Sequence, residues 1–566
     1  MQGWVKLRTV AAGLVLGGLA AAQDAGRPLT FAEDVAPIVH ARCTGCHAPG
    51  QAGPFVLASH ADVARRAGVI ADVVARGLMP PWLPVPGAGG PFVGDRSLPE
   101  AERATLLAWI AQGCAPGDLA RAPAPPAPAP EWQLGPPDLL LVLEPAVRVP
   151  AEGRDVYRNF VLPVALAEPR WVRALEFDPG DRTLVHHAAI GLDSSGGARA
   201  RDARDAEPGF PGMNMGGARL PDGHFLGWAP GKRVDPGRAD MAWRLAPGDD
   251  LVLQLHLRPS GKPETIRPRV ALHFAAQAPT ARPTAIVLSA LDLDIPAGAA
   301  EYVVEREYRL PVAASVLAIA PHAHYVGHDL RAWAALPDGR EVPLIRLRPW
   351  DFDWQDSYRY VEPVALPPGT RLGMRYQYDN SATNPLNPFS PPRRIVYGEA
   401  ATDEMGELLV QLLPADPDER ETLERDFALY MERQTLAHLV ALLAGAPDDA
   451  RLAYSVALSH ERLGEWEPAL VHLRAVVRAR PKDAMARTAL GRVLARAGDL
   501  ATSATELARA QAELGSDART RQALAGAWAV LGDAQRARGD EPGARRSFEA
   551  SLALVPAPAV RARLER

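Results

Sequence analysis

Cysteine is scarce in this chain, which has 3 cysteines among 566 residues. A chain of this length is too long for a single core, so several domains of ordinary size are expected, stabilised by packing rather than by disulfides. Basic residues are not in excess either, because the net charge is −5 and no stripe of lysine and arginine is interleaved with aromatic residues. Nucleic acid is therefore not an expected partner.

Long apolar runs are also missing. The apolar stretch from Val10 to Leu19 has about half of the roughly 20 residues that a membrane-spanning helix needs. It follows Lys6 and Arg8 and precedes a run of alanines that ends at Ala22, which is typical of a secretory signal peptide. We expect residues 1–22 to be removed and the protein to be periplasmic or secreted, without an integral membrane segment. A membrane anchor is the alternative interpretation.

Changes of composition along the chain predict several domains. Residues 28–120 alternate short helical stretches with Gly/Pro turns, and residues 121–137 are a proline-rich linker. Its core, from Ala122 to Pro130, is a polyproline spacer of roughly 28 Å at about 3.1 Å per residue. From 138 to 413, short runs with period-two alternation favour two β-sandwiches of jelly-roll type, over 138–284 and 285–413.

Residues 414–566 are rich in Ala, Leu, Arg and Glu and predict an all-α domain. Gly464 and Gly498 lie 34 residues apart, and the matching Gly539 follows after 41, which implies an insertion of seven residues in the third unit. Together with Trp528 and Phe548, this pattern predicts tetratricopeptide repeats on which a protein partner would dock. A generic helical bundle is the alternative.

The motif from Cys43 to His47, Cys-x-x-Cys-His, is the attachment sequence of a c-type haem. On a helix, Cys43 and Cys46 would bond the two vinyl groups of one porphyrin edge while the imidazole of His47 reaches the iron. A redox dithiol and half of a zinc site are the alternatives. If both thiols hold one covalent haem, Cys114 has no partner and is expected to be a small buried hydrophobe.

A candidate sixth iron ligand follows at Met79, which two prolines stiffen. Methionine opposite histidine raises the potential of the haem and leaves no open coordination site, so this haem would transfer electrons. The segment also resembles a single-haem, all-α cytochrome c domain through its last helix, from Leu98 to Gly113, with Trp109 on the inner face. Ordinary core packing is the alternative role of Met79.

Histidines with metal-ligand spacing occur later in the chain. His322 and His324 are two residues apart, so in a strand both imidazoles point to one face. His186 and His187 are neighbours, which face opposite ways in a regular strand, so both can bind one ion only where the strand ends or bulges. Otherwise, one of them is a core or surface group. His256 lies in an alternating strand, on a polar stripe that lines a site or faces water.

Together with Met405, these positions resemble the copper type II, ascorbate-dependent monooxygenases, the family of peptidylglycine α-hydroxylating and dopamine β-monooxygenases. The resemblance covers about 138–413. It implies a first copper on His186, His187 and His256, which supplies an electron. It also implies a second copper on His322, His324 and Met405, which binds O2 and removes a hydrogen atom from the substrate. Three imidazoles suit a copper that changes oxidation state, and a thioether favours the cuprous ion.

The expected protein is therefore an exported copper monooxygenase with two copper ions, in which the fused haem c recharges the coppers. Its electron donor would be an ascorbate-like reductant or a periplasmic redox protein, and its organic substrate is open, because the substrate contacts of the animal enzymes have no counterpart here. A second hypothesis is a non-enzymatic electron-transfer or copper-handling protein, and a third is a repeat scaffold with redox sensors. Asp403 and Glu404 are expected to be solvated or turn-forming, and His40 and His60 to lie on the surface.

Overall fold

The computed structural model describes residues 27–127, 130–153, 156–232 and 234–565. The expected signal peptide, residues 1–22, lies outside these ranges. Among the described residues, no helix combines the length and the apolar character that crossing a membrane requires. The described residues form two compact units, one within Met1–Trp82 and Arg96–Pro128, and one within Leu83–Asp95 and Ala129–Arg566.

The first unit is helical. A π-helical turn at Phe31–Val35 leads into the first of four helices, which are α1 (Ala36–Arg42), α2 (His60–Arg65), α3 (Ala67–Ala75) and α4 (Glu100–Ala111). Helix α2 begins with a capping box in which the Ser59 and Asp62 side chains each accept a backbone N–H of the other, which satisfies donors that a helix start leaves unpaired. Helix α4 matches the predicted last helix, and Trp109 is fully buried in the core of the unit.

Two pairs of β-sheets follow in the second unit. The first pair contains β1 (Leu139–Val142), β2 (Val147–Val149), β3 (Val156–Pro163), β4 (Arg170–Asp178), β5 (Val185–Asp193), β6 (Phe210–Pro211), β7 (Gly227–Trp228), β8 (Trp243–Leu245), β9 (Asp250–Leu257), β10 (Glu264–Ile266) and β11 (Arg269–Phe274), with helix α5 (Gly197–Asp202) after β5.

The strands of this first pair form a four-stranded sheet in the order β1-β11-β4-β8 and a five-stranded sheet in the order β6-β3-β9-β5-β7, and β10 pairs with β2. One hydrophobic core joins the two larger sheets, with Leu253 and Leu255 from β9 and Val270 and Leu272 from β11. Alternating apolar residues on both inner faces produce this layered arrangement.

The second sheet pair contains β12 (Thr284–Ser289), β13 (Asp294–Ile295), β14 (Tyr302–Arg309), β15 (Ala314–Ala323), β16 (Gly327–Ala335), β17 (Glu341–Leu347), β18 (Tyr358–Leu366), β19 (Arg371–Tyr378), β20 (Ile395–Val396) and β21 (Gly406–Pro414). Its sheets run β12-β21-β15-β18 and β14-β19-β16-β17, and β13 pairs with β20. Two buried tyrosines of β19 connect the sheets, since the Tyr376 hydroxyl donates to the carbonyl of Glu407 at 2.7 Å and the Tyr378 hydroxyl to that of Met405 at 3.0 Å.

The segment Leu83–Asp95 belongs to the second unit, so the predicted span 28–120 is not one continuous domain. Its backbone pairs with the second sheet pair, because the N–H of Val85 donates to the carbonyl of Arg346 at 2.8 Å and the N–H of Val93 to that of Arg359 at 2.7 Å. Phe92 is 7% exposed and packs on Tyr360, with ring centroids 5.0 Å apart. Buried aromatic surface and backbone pairing together explain why this stretch leaves the helical unit.

The chain ends in helices, which are α6 (Arg420–Gly445), α7 (Ala450–Arg462), α8 (Trp466–Ala479), α9 (Ala484–Ala497), α10 (Leu500–Ala512), α11 (Ala518–Ala537), α12 (Glu541–Leu554) and α13 (Pro558–Leu564). Helices α7 to α12 form three successive hairpins. Gly464, Gly498 and Gly539 occupy the turns with φ of 78°, 92° and 79°, the left-handed region that favours glycine. Most of the seven extra residues of the third unit lie in α11, which has 20 residues where α9 has 14.

Helix α6 attaches the hairpins to the second sheet pair. The hydroxyl of Tyr308 donates to a carboxylate oxygen of Asp426 at 2.8 Å, and the Tyr308 ring lies 5.0 Å from Phe427 and 5.1 Å from Tyr430. Aromatic contacts of this kind add stability beyond the area that they bury. The helical region thus continues directly from the sheets rather than from a flexible linker.

Candidate metal centres

Three histidines of the first sheet pair converge on one point. The Nδ1 atom of His187 lies 3.3 Å from Nδ1 of His186 and 3.4 Å from Nδ1 of His256. The ligand atoms of the three rings all lie within 4.8 Å of one another. We call this cluster the first centre.

A β-bulge brings the neighbouring histidines to the same side. Opposite β9, Val185 pairs with Leu257 and His187 pairs with His256, so the register shifts by one residue and His186 is the extra residue. An inserted residue re-aims its side chain. This is the irregularity that the sequence requires if both imidazoles are to approach one ion.

Strand β9 is buried along all eight residues, so its polar stripe does not face water. His256, 1% exposed, pairs with His187 on one side and with Tyr157 of β3 on the other. Residues directly opposite in antiparallel strands share a face, so the three side chains form one row. The Tyr157 ring stacks on His256 with centroids 4.2 Å apart and its hydroxyl lies 3.2 Å from Nδ1.

The donor set of the first centre fits a metal ion. Imidazole nitrogens bind such ions at about 2.0–2.1 Å, so two ligands of one tetrahedral ion lie about 3.3 Å apart, which is the spacing of the Nδ1 atoms. Burial lowers the pKa of His187 well below its usual range, and positive charge on His256, His186 and His322 lowers it further. A neutral imidazole is the form that binds a metal. The second sheet pair lies close by, since the ring of its Trp354 lies 6.2 Å from that of His186.

The second centre lies where β15 ends. The rings of His322 and His324 have centroids 5.2 Å apart. Nδ1 of His322 lies 2.6 Å from Oε1 of Gln355, and Nδ1 of His324 lies 3.1 Å from the carbonyl of Asp403. Because both oxygens accept, each Nδ1 donates and each Nε2 keeps its lone pair for a metal.

His324 is fully buried, yet its Nε2 atom has no hydrogen-bond partner among the described residues. Burial, followed by the positive charge of His322, lowers its pKa to about 3, so the ring is neutral at physiological pH. A buried polar atom without a partner is costly, and a metal ion would satisfy it. The donor set of the second centre therefore also fits a metal.

Met405 is adjacent to this pair along the sheet. In the β15–β21 ladder, His322 lies opposite Glu407 and Ala323 opposite Gly406. Both strands end there, because β15 stops at Ala323 and β21 begins at Gly406. The half-buried Met405 directly precedes β21, and its role as a ligand of the second centre stays a prediction.

Glu404, expected to be solvated or turn-forming, is fully buried and holds the turn. Its carboxylate accepts the backbone N–H groups of His324, Val326 and Met405, the last at 2.8 Å. Burial raises its pKa to about 8, although these N–H groups work in the opposite direction. Sequence spacing does not reveal this role, because two of the three donors, the N–H groups of His324 and Val326, lie 80 and 78 residues away in the chain.

The Cys-x-x-Cys-His motif lies in the turn that follows α1, not on a helix as predicted. Helix α1 ends at Arg42, and the N–H groups of Cys46 and His47 both donate to the carbonyl of Cys43, at 3.1 and 2.9 Å. Nδ1 of His47 donates to the carbonyl of Phe55 at 2.9 Å. That bond leaves Nε2 of His47 as the acceptor nitrogen, as an axial iron ligand requires, so these residues fit a haem.

Met79 follows α3 in the same unit and is half-buried, with its N–H donating to the carbonyl of Val73 at 3.4 Å. Its role as sixth ligand stays a prediction. Cys114 packs against the core of the unit, and burial raises the pKa of its thiol, which is consistent with an inert side chain.

His40 and His60 are not simple surface residues, because both rings are half-buried. Nε2 of His60 lies 2.8 Å from the carbonyl of Cys114 and its ring packs edge-on against Phe31. Nε2 of His40 lies 3.3 Å from the carbonyl of Ala58. Both histidines hold the helical unit together, which sequence spacing does not reveal.

No protein-family model and no curated protein matches the chain. Among solved structures, YrrB, described as a TPR protein with an unusual peptide-binding site, is 17% identical with a TM-score of 0.21, over 24% of this chain and 66% of that chain. The N-terminal domain of stress-induced protein STI-1 from C. elegans is 18% identical with a TM-score of 0.19, over 21% and 93%. MamA is 17% identical with a TM-score of 0.20, over 25% and 75%. TM-scores this low carry no argument about function.

Proposed function

We propose that this chain is an exported copper-dependent monooxygenase that hydroxylates a C–H bond with O2, with electrons delivered through the fused haem c. The observation that carries the proposal is the convergence of His186, His187 and His256, whose Nδ1 atoms are 3.3 and 3.4 Å apart across a β-bulge. Sheets alone do not require three imidazoles to share one point, and a metal ion explains it.

The two centres differ in their donors, which supports a division of labour. The first centre offers three imidazoles through Nδ1. The second offers His322 and His324 through Nε2, and the proposed third ligand, Met405, directly precedes the strand that pairs with β15. Bound copper would supply the one-electron chemistry and the oxygen activation that protein side chains lack. The role of the chain is to hold the imidazoles in place and neutral. The lowered pKa values of His187 and His324 keep those two rings neutral.

The haem motif gives the two copper centres a source of electrons within the same chain. Hydroxylation with O2 consumes two electrons, and a haem with His47 and Met79 as axial ligands passes them one at a time. In this proposal, Cys43 and Cys46 anchor the haem and an ascorbate-like reductant or a periplasmic redox protein reduces it. The substrate is an organic molecule whose class a screen of small apolar and peptide compounds would identify.

Met405 provides the decisive experiment. Met405→Ala should abolish substrate-dependent oxygen uptake and product formation, while the chain still binds copper at the three-histidine centre. Met431→Ala, a half-buried methionine on α6, is the matched control and should keep full activity. Copper content per chain and oxygen consumption with excess reductant are the measurements.

The result also separates the enzyme from a non-enzymatic protein. If the wild-type chain binds two copper ions but consumes no oxygen with any reductant and substrate in the screen, the proposal fails. An electron-transfer or copper-handling role then replaces it, because the donor sets would still hold copper.

Covalent haem has a test of its own. Thioether bonds survive unfolding, so the haem absorbance should stay with the polypeptide after denaturation and acid extraction. Cys43→Ser with Cys46→Ser should lose it, whereas Cys114→Ser should retain it, since Cys114 lies outside the motif. Extraction of haem from the wild-type chain would contradict the assignment.

A further inference from the structure

One short segment of the second sheet pair touches both centres. Residues 353–357 run from the helical turn Phe352–Trp354 to the start of strand β18. Gln355 contacts His322 of the second centre, with Oε1 2.6 Å from Nδ1. The preceding residue, Trp354, packs against His186 of the first centre, with ring centroids 6.2 Å apart. Neighbouring residues, about 3.8 Å apart at their Cα atoms, therefore contact one ligand from each centre.

Two ion pairs fasten the same segment to the first sheet pair. Arg258, directly after β9, donates to Asp353 at 2.6 Å. Lys232 lies 2.9 Å from a carboxylate oxygen of Asp356 and donates to the Ser357 hydroxyl at 2.8 Å. The Asp356 side chain is 7% exposed, so this pair is screened little by solvent. The segment is thus held on the first sheet pair at both ends.

The residue directly before the segment packs on the second centre. Phe352 is 2% exposed, and its ring lies 5.5 Å from His324 and 4.6 Å from Tyr325. Asp351 accepts the N–H of Asp353 at 2.9 Å, which closes the turn. Buried packing on one side and ion pairs on the other leave the segment little freedom to move independently of either centre.

We propose that residues 353–357 are a positioning clamp, which holds the two copper centres at one fixed separation and aims His322 through Gln355. This inference rests on the proposed function, because it takes both centres as copper sites. Trp354 covers His186, and the ion pairs of Asp353 and Asp356 keep the two sheet pairs from moving apart. Electron exchange between the centres then needs no large domain movement.

The fixed separation is tested by magnetic coupling between two Cu(II) ions in the full-length chain. Asp353→Asn combined with Lys232→Met should broaden the distribution of copper–copper distances and leave the hyperfine coupling of each copper unchanged. Asp338→Asn removes an exposed pair with Arg340 and is the control. A distribution as narrow in the double variant as in the wild type would overturn the clamp.

The aiming role of Gln355 is tested by copper titration without turnover. Gln355→Ala should weaken copper binding at the second centre by about 10- to 100-fold, the usual effect of losing a residue that orients a metal-ligating histidine. Gln355→Glu should restore it, because a carboxylate oxygen also accepts from Nδ1, and affinity at the first centre should stay unchanged. Gln377→Ala, a half-buried glutamine on β19, is the control.

The outcomes separate this inference from the proposed function. If Gln355→Ala binds copper as tightly as the wild type, the aiming role is wrong even in an active oxygenase. If two copper ions bind, respond as expected to the variants and never support oxygen uptake, the clamp stands and the oxygenase fails. A chain without copper at either centre would overturn both.

Discussion

Replacing Glu404 tests whether a buried carboxylate builds the second centre. In Glu404→Ala, the backbone N–H groups of His324, Val326 and Met405 lose their acceptor. Each buried N–H left unpaired costs about 1–3 kcal/mol, so the three together cost roughly 3–9 kcal/mol. Burial of this carboxyl is itself unfavourable, since it raises the pKa of Glu404 to about 8. Removing the carboxyl relieves that cost. We expect a net loss of about 3–5 kcal/mol, at the upper end for single substitutions.

Amide hydrogen exchange on the metal-free chain is the assay, because it reads these three N–H groups directly. Protection of His324, Val326 and Met405 should fall together in Glu404→Ala, whereas Glu404→Gln, which keeps one acceptor oxygen, should be intermediate. Glu399→Ala, an exposed glutamate shortly before in the chain, is the control. Unchanged exchange at the turn would refute the reasoning, since the buried carboxylate would then not be holding it.

Two further predictions concern other parts of the chain. In α11, a Cβ on Gly532 would lie 2.6 Å from the Phe548 ring, whereas a Cβ on Gly526 would meet nothing within 4 Å, so Gly532→Ala should destabilise the chain by about 1–3 kcal/mol and Gly526→Ala should stabilise it by about 0.5–1 kcal/mol. Thermal unfolding measures the stability of both variants. Equal changes in Tm would contradict the close packing of Gly532 against Phe548. Burial works to raise the pKa of Asp329, but hydrogen bonds from Arg346 outweigh it and hold that pKa below its usual value. The stabilisation is present above pH about 4 and is lost as the pH falls through the folded-state pKa, so Arg346→Met should move acid unfolding, followed by circular dichroism, to higher pH.

Local patterns were sufficient to predict the strands and the helical hairpins. The alternation from Leu251 to Leu257 predicts β9, and the glycine spacing from Gly464 to Gly539 predicts the turns of three hairpins, because both patterns follow from backbone geometry. What covers each face could not be predicted in the same way. The polar stripe that contains His256 is covered by α5 and the segment after it, since Val252 packs against Ala198 and Phe210 and Gln254 donates to the carbonyl of Met213. A strand carries no record of what covers it.

The features that sequence reasoning missed all depend on distant contacts. The Gly and Pro residues between Leu83 and Asp95 resemble a loop of the helical unit. Pairing of this segment with β17 and β18 nevertheless places it in the second unit. Glu404 resembles a solvated acid, because two of its three donors, the N–H groups of His324 and Val326, are distant in sequence. Binding of one ion by both His186 and His187 requires a bulge, and only the pairing of β5 with β9 shows that it occurs.

The choice of ring nitrogen links the two centres to their expected chemistry. Nδ1 is close to the backbone, so an ion held by three Nδ1 atoms from β5 and β9 would have its geometry fixed by the sheet, and we expect little rearrangement when it gains or loses an electron. Nε2 is farther from the backbone, and His324 and Met405 stand beyond the strand ends, where the turn held by Glu404 determines their position. We therefore expect the second centre to accommodate a change in ligation, such as the binding of O2, more readily than the first.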